Sequence, residues 1–213
     1  MNANLNLPNP DRKLAVNDQF DEVKGDGMRK ICVNPEKSFI HWKGSKPGGE
    51  HIGIVRFASG YVKLNGTEVT GGEFVADMTT ITDEELRINE MKNMLENHLK
   101  SADFFDVAHF PTAVFSIHKV TLLPDDPVFS MQITGSLVIK DISNEVSFKI
   151  KPISEVEPLS FTTDEVILNR TLWKVNYNSK SIFKSITEKI IHDEFEISVT
   201  IEFKKEEPKA DSL

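Results

Sequence analysis

Apolar and polar residues alternate along most of this chain. Ile40 and Trp42 interleave with His41 and Lys43, Phe74, Ala76 and Met78 with Glu73, Val75 and Asp77, and Ala113, Phe115 and Ile117 with Thr112, Val114, Ser116 and His118. The same period of two runs through Phe129, Met131 and Ile133, through Val146, Phe148 and Ile150, and through Phe195, Ile197, Val199, Ile201 and Phe203. Alternation sends successive side chains to opposite faces of a strand, so these segments predict about eight half-buried strands. Turn-forming clusters divide them: KPGGE at 46–50, ASG at 58–60, LNG at 64–66 and PDDP at 124–127. Such short connections favour antiparallel neighbours. Gly71 and Gly72 precede another strand and no helix, which predicts a bulge there and no phosphate cradle.

One segment changes period. Thr82 with Glu85 three residues on forms a capping box, flanked by Ile81 and Leu86 as a hydrophobic staple, so a helix is expected to begin at Thr82. Ile88, Met91, Met94, Leu95, His98 and Leu99 then recur at three- and four-residue steps and make one apolar stripe. An antiparallel meander with one amphipathic helix is most economically a closed barrel, because closure removes exposed edges. The expected fold is therefore all-β, an extended barrel of about eight strands with the helix at a mouth or along the wall.

The ends read differently from the body. Residues 1–30 are rich in Asn, Asp and Lys and predict a mobile polar arm, and residues 204–213 predict a charged tail, leaving one folded domain over 31–203. The formal net charge is −8, which argues against nucleic acid as a partner. A single cysteine, Cys32, excludes an internal disulfide and thiolate metal cages. The six histidines fall into no HxxxH or HxH spacing, and His98 shares its stripe with Leu95 and Leu99, so no metal site is expected. There is no G-x-S-x-G elbow. The acidic runs Asp83-Glu84-Glu85 and Asp125-Asp126 have structural explanations in a helix's first turn and in a turn. No apolar run approaches the roughly 18 residues of a membrane span, and the first thirty residues contain no signal-peptide core, so a soluble protein is expected.

Composition adds one positive feature: 14 phenylalanines stand against two tyrosines and two tryptophans. Such a set can line a dry cavity or fill a solid core. A barrel of about eight strands has an interior just wide enough for either.

The stretch ENHLKSADFFDVAHFPTAVFSIHKV at 96–120 resembles the signature of the YceI-like polyisoprenoid-binding family, roughly HLKS-x-DFFD-x-x-x-[YF]-PTA-x-F. SFIHWKGSKPGGEHIG at 38–53, GGEFVADMTTI at 71–81, ITGSLVIKDISNEVSF at 133–148 and NRTLWKVNY at 169–177 resemble further family segments in the same order. The chain departs from the pattern at Asn169, where Asp is usual, and at Lys174 and Asn178, where Gly is common.

The resemblance implies a lipocalin-like barrel whose apolar pore holds an isoprenoid chain, such as a quinone tail or polyprenyl lipid, with no catalysis and no cofactor besides that lipid. It also implies a homodimer and frequently a periplasmic location with a cleavable signal; a polar arm stands where that signal would be, so a cytoplasmic location is expected here, or a periplasmic one for a processed form. Residues expected to line the tube are Trp42, Phe57, Phe74, Met78, Met94, Leu95, Phe115, Met131, Phe148 and Trp173, with Phe104 and Phe105 near a mouth and Trp173 closer than Trp42 to the lipid's head. Asp103 and Asp106 are expected to cap local backbone amides. Two alternatives stay open: a barrel without a cavity acting as an interaction or stress-response module, and a lipid-modifying enzyme with His98 or His109 as base.

Overall fold

The computed structural model describes residues 28–65, 68–151, 153, 158–184 and 189–205. The strands are β1 (Met28–Cys32), β2 (Phe39–Lys46), β3 (Gly49–Asn65), β4 (Glu68–Asp83), β5 (Thr112–Leu122), β6 (Met131–Ile139), β7 (Ile142–Ile150), β8 (Ser160–Thr162), β9 (Val166–Asn169) and β10 (Glu194–Glu202). Among the described residues one α-helix, α1 (Asn89–Lys100), follows β4, and a 3₁₀ turn spans Arg170–Trp173. Of the expected arm, Met28, Arg29 and Lys30 belong to β1, residues 1–27 lie outside the described residues, and so do 206–213 of the expected tail.

All pairings are antiparallel, in the order β7-β6-β5-β4-β3-β2-β10-β8, with β1 on β3 and β9 on β10. The sheet curls until its two ends meet. Ile150 bridges Thr163, the Lys151 amide donates to Thr162 O, and the Asp164 amide donates to Lys149 O. At the other end of β6 and β7 the gap is filled by the 3₁₀ turn, whose Trp173 Nε1 donates to Leu137 O. Asn144 Nδ2 donates to Leu172 O beside it.

The two longest strands set the barrel's length. β3 is 17 residues long and shares one edge between two partners, pairing with β2 over Gly49–Arg56 and with β1 over Tyr61–Asn65. The ASG cluster at 58–60 is therefore no turn: it lies inside β3, at a register shift between Phe57 and Ser59 where the partner changes. The glycines at 71–72 do accompany a bulge, since Lys63 pairs with Gly71 and Leu64 with Val69.

The helix begins later than the capping box predicts. Thr82 and Asp83 are held in the β3–β4 ladder opposite Ile54 and Gly53, and the strand wins over the cap. Asp83 Oδ1 instead accepts from the Glu85 and Leu86 amides, a turn that ends the strand. The helix lays only part of its stripe on the barrel. Leu95, His98 and Leu99 face the interior, whereas Ile88, Met91 and Met94 are exposed.

Candidate functional site

The inward positions of the strands enclose a cavity of about 340 Å³. Its deep walls are apolar: Phe57, Phe74, Ala76, Ala113, Phe115, Ile133, Phe148, Phe161 and Ile201. Cross-strand register explains the grouping, because Phe74 pairs with Phe115 and Ala76 with Ala113. Aromatic pairs tile the wall, with the Phe115 and Phe148 rings meeting edge-on at 5.4 Å and Phe57 and Phe74 tilted at 6.2 Å. Beyond these walls Val33, Phe203 and Val62 fill the barrel solidly and close that end.

Polar side chains gather at the other end. Ser45, Lys46, His51, His98, Arg170, His192 and Glu194 all border the cavity, beneath α1 and the 190–194 segment. Arg170 is buried and anchors this rim. Its Nε donates to His192 O, Nη1 to Val175 O at 2.6 Å, and Nη2 to Ile191 O and to Asp193 Oδ1. Burial pushes the Arg170 pKa down from arginine's ordinary value, and Asp193 pulls it the other way. His98 stands edge-on to the Phe104 and Tyr177 rings, and its Nε2 lies 3.3 Å from Asp103 Oδ2.

The two aspartates of the DFFD run thus face histidines: Asp103 meets His98, and Asp106 Oδ1 lies 2.8 Å from His109 Nδ1. The amides of Phe104 and Asp106 are satisfied by the Ser101 carbonyl, so neither carboxylate is needed as their cap. His109 is largely exposed.

Nine of the expected lining residues border the cavity: Trp42, Phe57, Phe74, Met78, Leu95, Phe104, Phe105, Phe115 and Phe148. Three do not. Met94 sits on the outer face of α1 with 68% of its surface exposed, because the helix rests on the barrel along Leu95 and Leu99. Met131 is buried in the solid part of the core at the start of β6. Trp173 is 1% exposed and locked by its bond to Leu137 O, a plug between β6 and the 3₁₀ turn. Trp42, not Trp173, is therefore the tryptophan on the cavity wall, and its buried Nε1 has no hydrogen-bond partner among the described residues. Ile197 and Val199 of β10 also line the cavity and follow the alternation already visible there. Arg170 and His192 reach it from segments without periodicity, and only the NRTLW resemblance marked the former.

The sequence model of the YceI-like domain matches residues 32–203. The chain belongs to the YceI-like domain family. Among solved structures, the chain is similar to BcnA of Burkholderia cenocepacia, with a TM-score of 0.61, 17% identity, and coverage of 79% of this chain and 98% of that one. It is also similar to a polyisoprenoid-binding domain from Saccharophagus degradans, described as implicated in plant cell wall breakdown. There the TM-score is 0.54, identity 9%, and coverage 83% of this chain and 98% of the other. A Campylobacter jejuni YceI protein variant aligns with a TM-score of 0.50 at 17% identity, over 66% of this chain and 75% of that one. At such identities the likeness establishes the YceI-like barrel and nothing finer. A search of curated protein sequences finds no match. No described helix is long and apolar enough to cross a membrane.

Within this YceI-like barrel the departures at Lys174 and Asn178 acquire a physical meaning. Both residues adopt left-handed backbone, with φ of 55° and 50°, where glycine is free of Cβ strain. Asn169 keeps the role an Asp would have, since its Oδ1 accepts from the amide and hydroxyl of Thr171.

Proposed function

We propose that this protein binds a single isoprenoid-chain lipid, of quinone or polyprenyl type, and carries it without chemical change. The carrying observation is the polarity gradient of the cavity: phenylalanine and aliphatic walls at depth, and Arg170, His98, His192 and Ser45 at the rim. An amphipathic molecule with a slim apolar tail and a polar head matches both ends. Transfer of the tail from water is favourable by roughly 0.8 kcal/mol per buried CH₂. The volume, about 340 Å³, lies at the small end of the roughly 300–1,000 Å³ of ligand pockets, which suits one chain and not several. Arg170 holds the rim in place, its guanidinium being spent on backbone carbonyls and Asp193. Further support comes from the family itself and from the similar Saccharophagus degradans domain, which is described as polyisoprenoid-binding.

The test is a titration of lipid-stripped protein with isoprenoid alcohols of increasing tail length, read by Trp42 emission against the sealed background of Trp173. Affinity should rise with each added carbon until the tube is full and then level off. Ala113→Leu, which projects into the cavity from its wall, should abolish the response while the fold persists. Absence of saturable binding for every tail length would sink the carrier reading.

A further inference from the structure

The acidic run that the sequence places in a helix's first turn lies elsewhere, and this frees it for another role. α1 starts at Asn89, so Asp83 and Glu85 precede it, on the last residue of β4 and in the connection that follows. The sheet brings His51, from the facing strand β3, to the same point. His51 Nδ1 lies 3.5 Å from Asp83 Oδ2 and 3.5 Å from Glu85 Oε2, and all three atoms lie within 4.8 Å of one another.

Asp83 is the decisive residue. Its side chain is 0% exposed. Oδ1 accepts two amides, from Glu85 and Leu86, but among the described residues Oδ2 has no hydrogen-bond partner, and the facing His51 Nδ1 is likewise buried without one. A carboxylate oxygen stripped of water and left unpaired is costly. The surrounding charge deepens the deficit: Glu96 Oε1 accepts the Asp83 amide, and the cation paired with that carboxylate, Lys92, stands 3.8 Å away from it. Two carboxylates and an imidazole therefore converge on one point, with the Glu96 carboxylate beside them.

We propose that His51 Nδ1, Asp83 Oδ2 and Glu85 Oε2 form a binding site for a divalent transition-metal ion of the zinc class. Bonds of about 2.0–2.2 Å in a tetrahedron put neighbouring ligand atoms about 3.3–3.6 Å apart, which matches the two separations that are too long for good hydrogen bonds. The imidazole selects zinc, cobalt or nickel over magnesium and calcium. Three protein ligands leave the fourth position for water or another oxygen ligand. Glu85 is half exposed and gives the ion its route in. Because His51 also borders the cavity, the ion staples β3 to the β4–α1 connection at the cavity's rim.

The test uses the full chain, freed of metal by a chelator and titrated calorimetrically with Zn²⁺, then with Co²⁺ while its visible spectrum is recorded. The expected result is one ion per chain, a tetrahedral Co²⁺ spectrum, a rise in Tm on adding zinc and no competition from excess Mg²⁺. Glu85→Gln, at an exposed position, and Asp83→Asn, which keeps the amide-accepting oxygen, should each weaken zinc binding at least tenfold and remove the Tm shift. Glu84→Gln should do neither. Failure of the native chain to bind zinc below millimolar concentration overturns the proposal. So does zinc affinity unchanged in Glu85→Gln, which would make the His51 contacts a plain ion pair.

Discussion

Gly53 and Trp42 stand opposite each other on β3 and β2, and the indole occupies the space that a side chain at 53 would need. A Cβ there would lie 2.6 Å from Trp42 Cζ2 and 1.8 Å from the Thr82 carbonyl oxygen. The carbonyl belongs to the β3–β4 ladder and cannot retreat alone, so the ring and the ladder would both have to move. Gly53→Ala should cost at least the roughly 1–3 kcal/mol of an overpacked core and displace Trp42 across the bore. Urea unfolding measures the first effect, and the lipid titration measures the second as weakened binding.

Arg170 organises the rim through four acceptors on four residues. Lysine has neither the planar fork nor enough donors in fixed positions to replace it. Arg170→Met, which leaves Asp193 and the carbonyls without their cation, should destabilise by about 3–5 kcal/mol, with Arg170→Lys in between. Denaturant midpoints order the three proteins. Equal midpoints for native and Arg170→Met would show that the guanidinium is not the anchor described.

Two aspartates give the stability opposite pH dependences. Burial raises the Asp164 carboxyl above its ordinary pKa, against the Lys149 amide it accepts from and the nearby Lys149 charge. A carboxyl with a raised folded-state pKa contributes stability below its unfolded pKa, about 3.9, and that contribution is lost as pH rises through the folded value. Asp164→Asn, which retains an acceptor for Lys149, should therefore stabilise at pH 7 and have no such advantage near pH 3. For Asp193, burial also pushes the carboxyl up, but hydrogen bonds from Ser179 and Ser181 and the Arg170 charge outweigh it and hold the pKa below the ordinary range. Its contribution is present above about pH 4 and lost as pH falls, so Asp193→Asn should be costly at pH 7 and mild in acid. Urea midpoints at the two pH values separate the cases.

The left-handed backbone at Lys174 predicts a gain from glycine. Relief of Cβ strain, roughly 1–2 kcal/mol, exceeds the entropy that glycine adds to the unfolded chain. Lys174→Gly should stabilise by about 0.5–1 kcal/mol in a thermal melt. The same change at Asn178 should gain less, because Asn tolerates this conformation better.

Much of the cavity was legible because facing is a local property: alternation at Phe74, Phe115, Phe148 and Ile197 marks the inner side of each strand without knowledge of its neighbours. Partnership is not local. That β10 lies against β2, or that β3 serves two strands on one edge, follows from contacts between distant residues that no period records. Thr82 shows the limit for boundaries, since its capping signal was sound in isolation and lost to ladder bonds supplied by β3. Met94 and Leu95 are adjacent on one predicted stripe, yet only the lean of α1 against the wall decides which of them goes inside. His51 and Asp83 meet through strand pairing, so histidine spacing could not announce them.

The place of β10 in the sheet has a consequence for how the molecule comes into being. This last strand is interior: β2 lies on one side, β8 and β9 on the other, and the final bridge runs from Phe203 back to Val33. Loop closure between such distant segments is entropically slow, and until it occurs the open edge of β2 is a template for another chain. A ribosome-bound chain can zip β2 through β7 hairpin by hairpin, but its barrel stays unclosed until the end of the domain has emerged. Completion of the tube therefore waits on the pairing of β10 with β2, and the cavity has no existence before it.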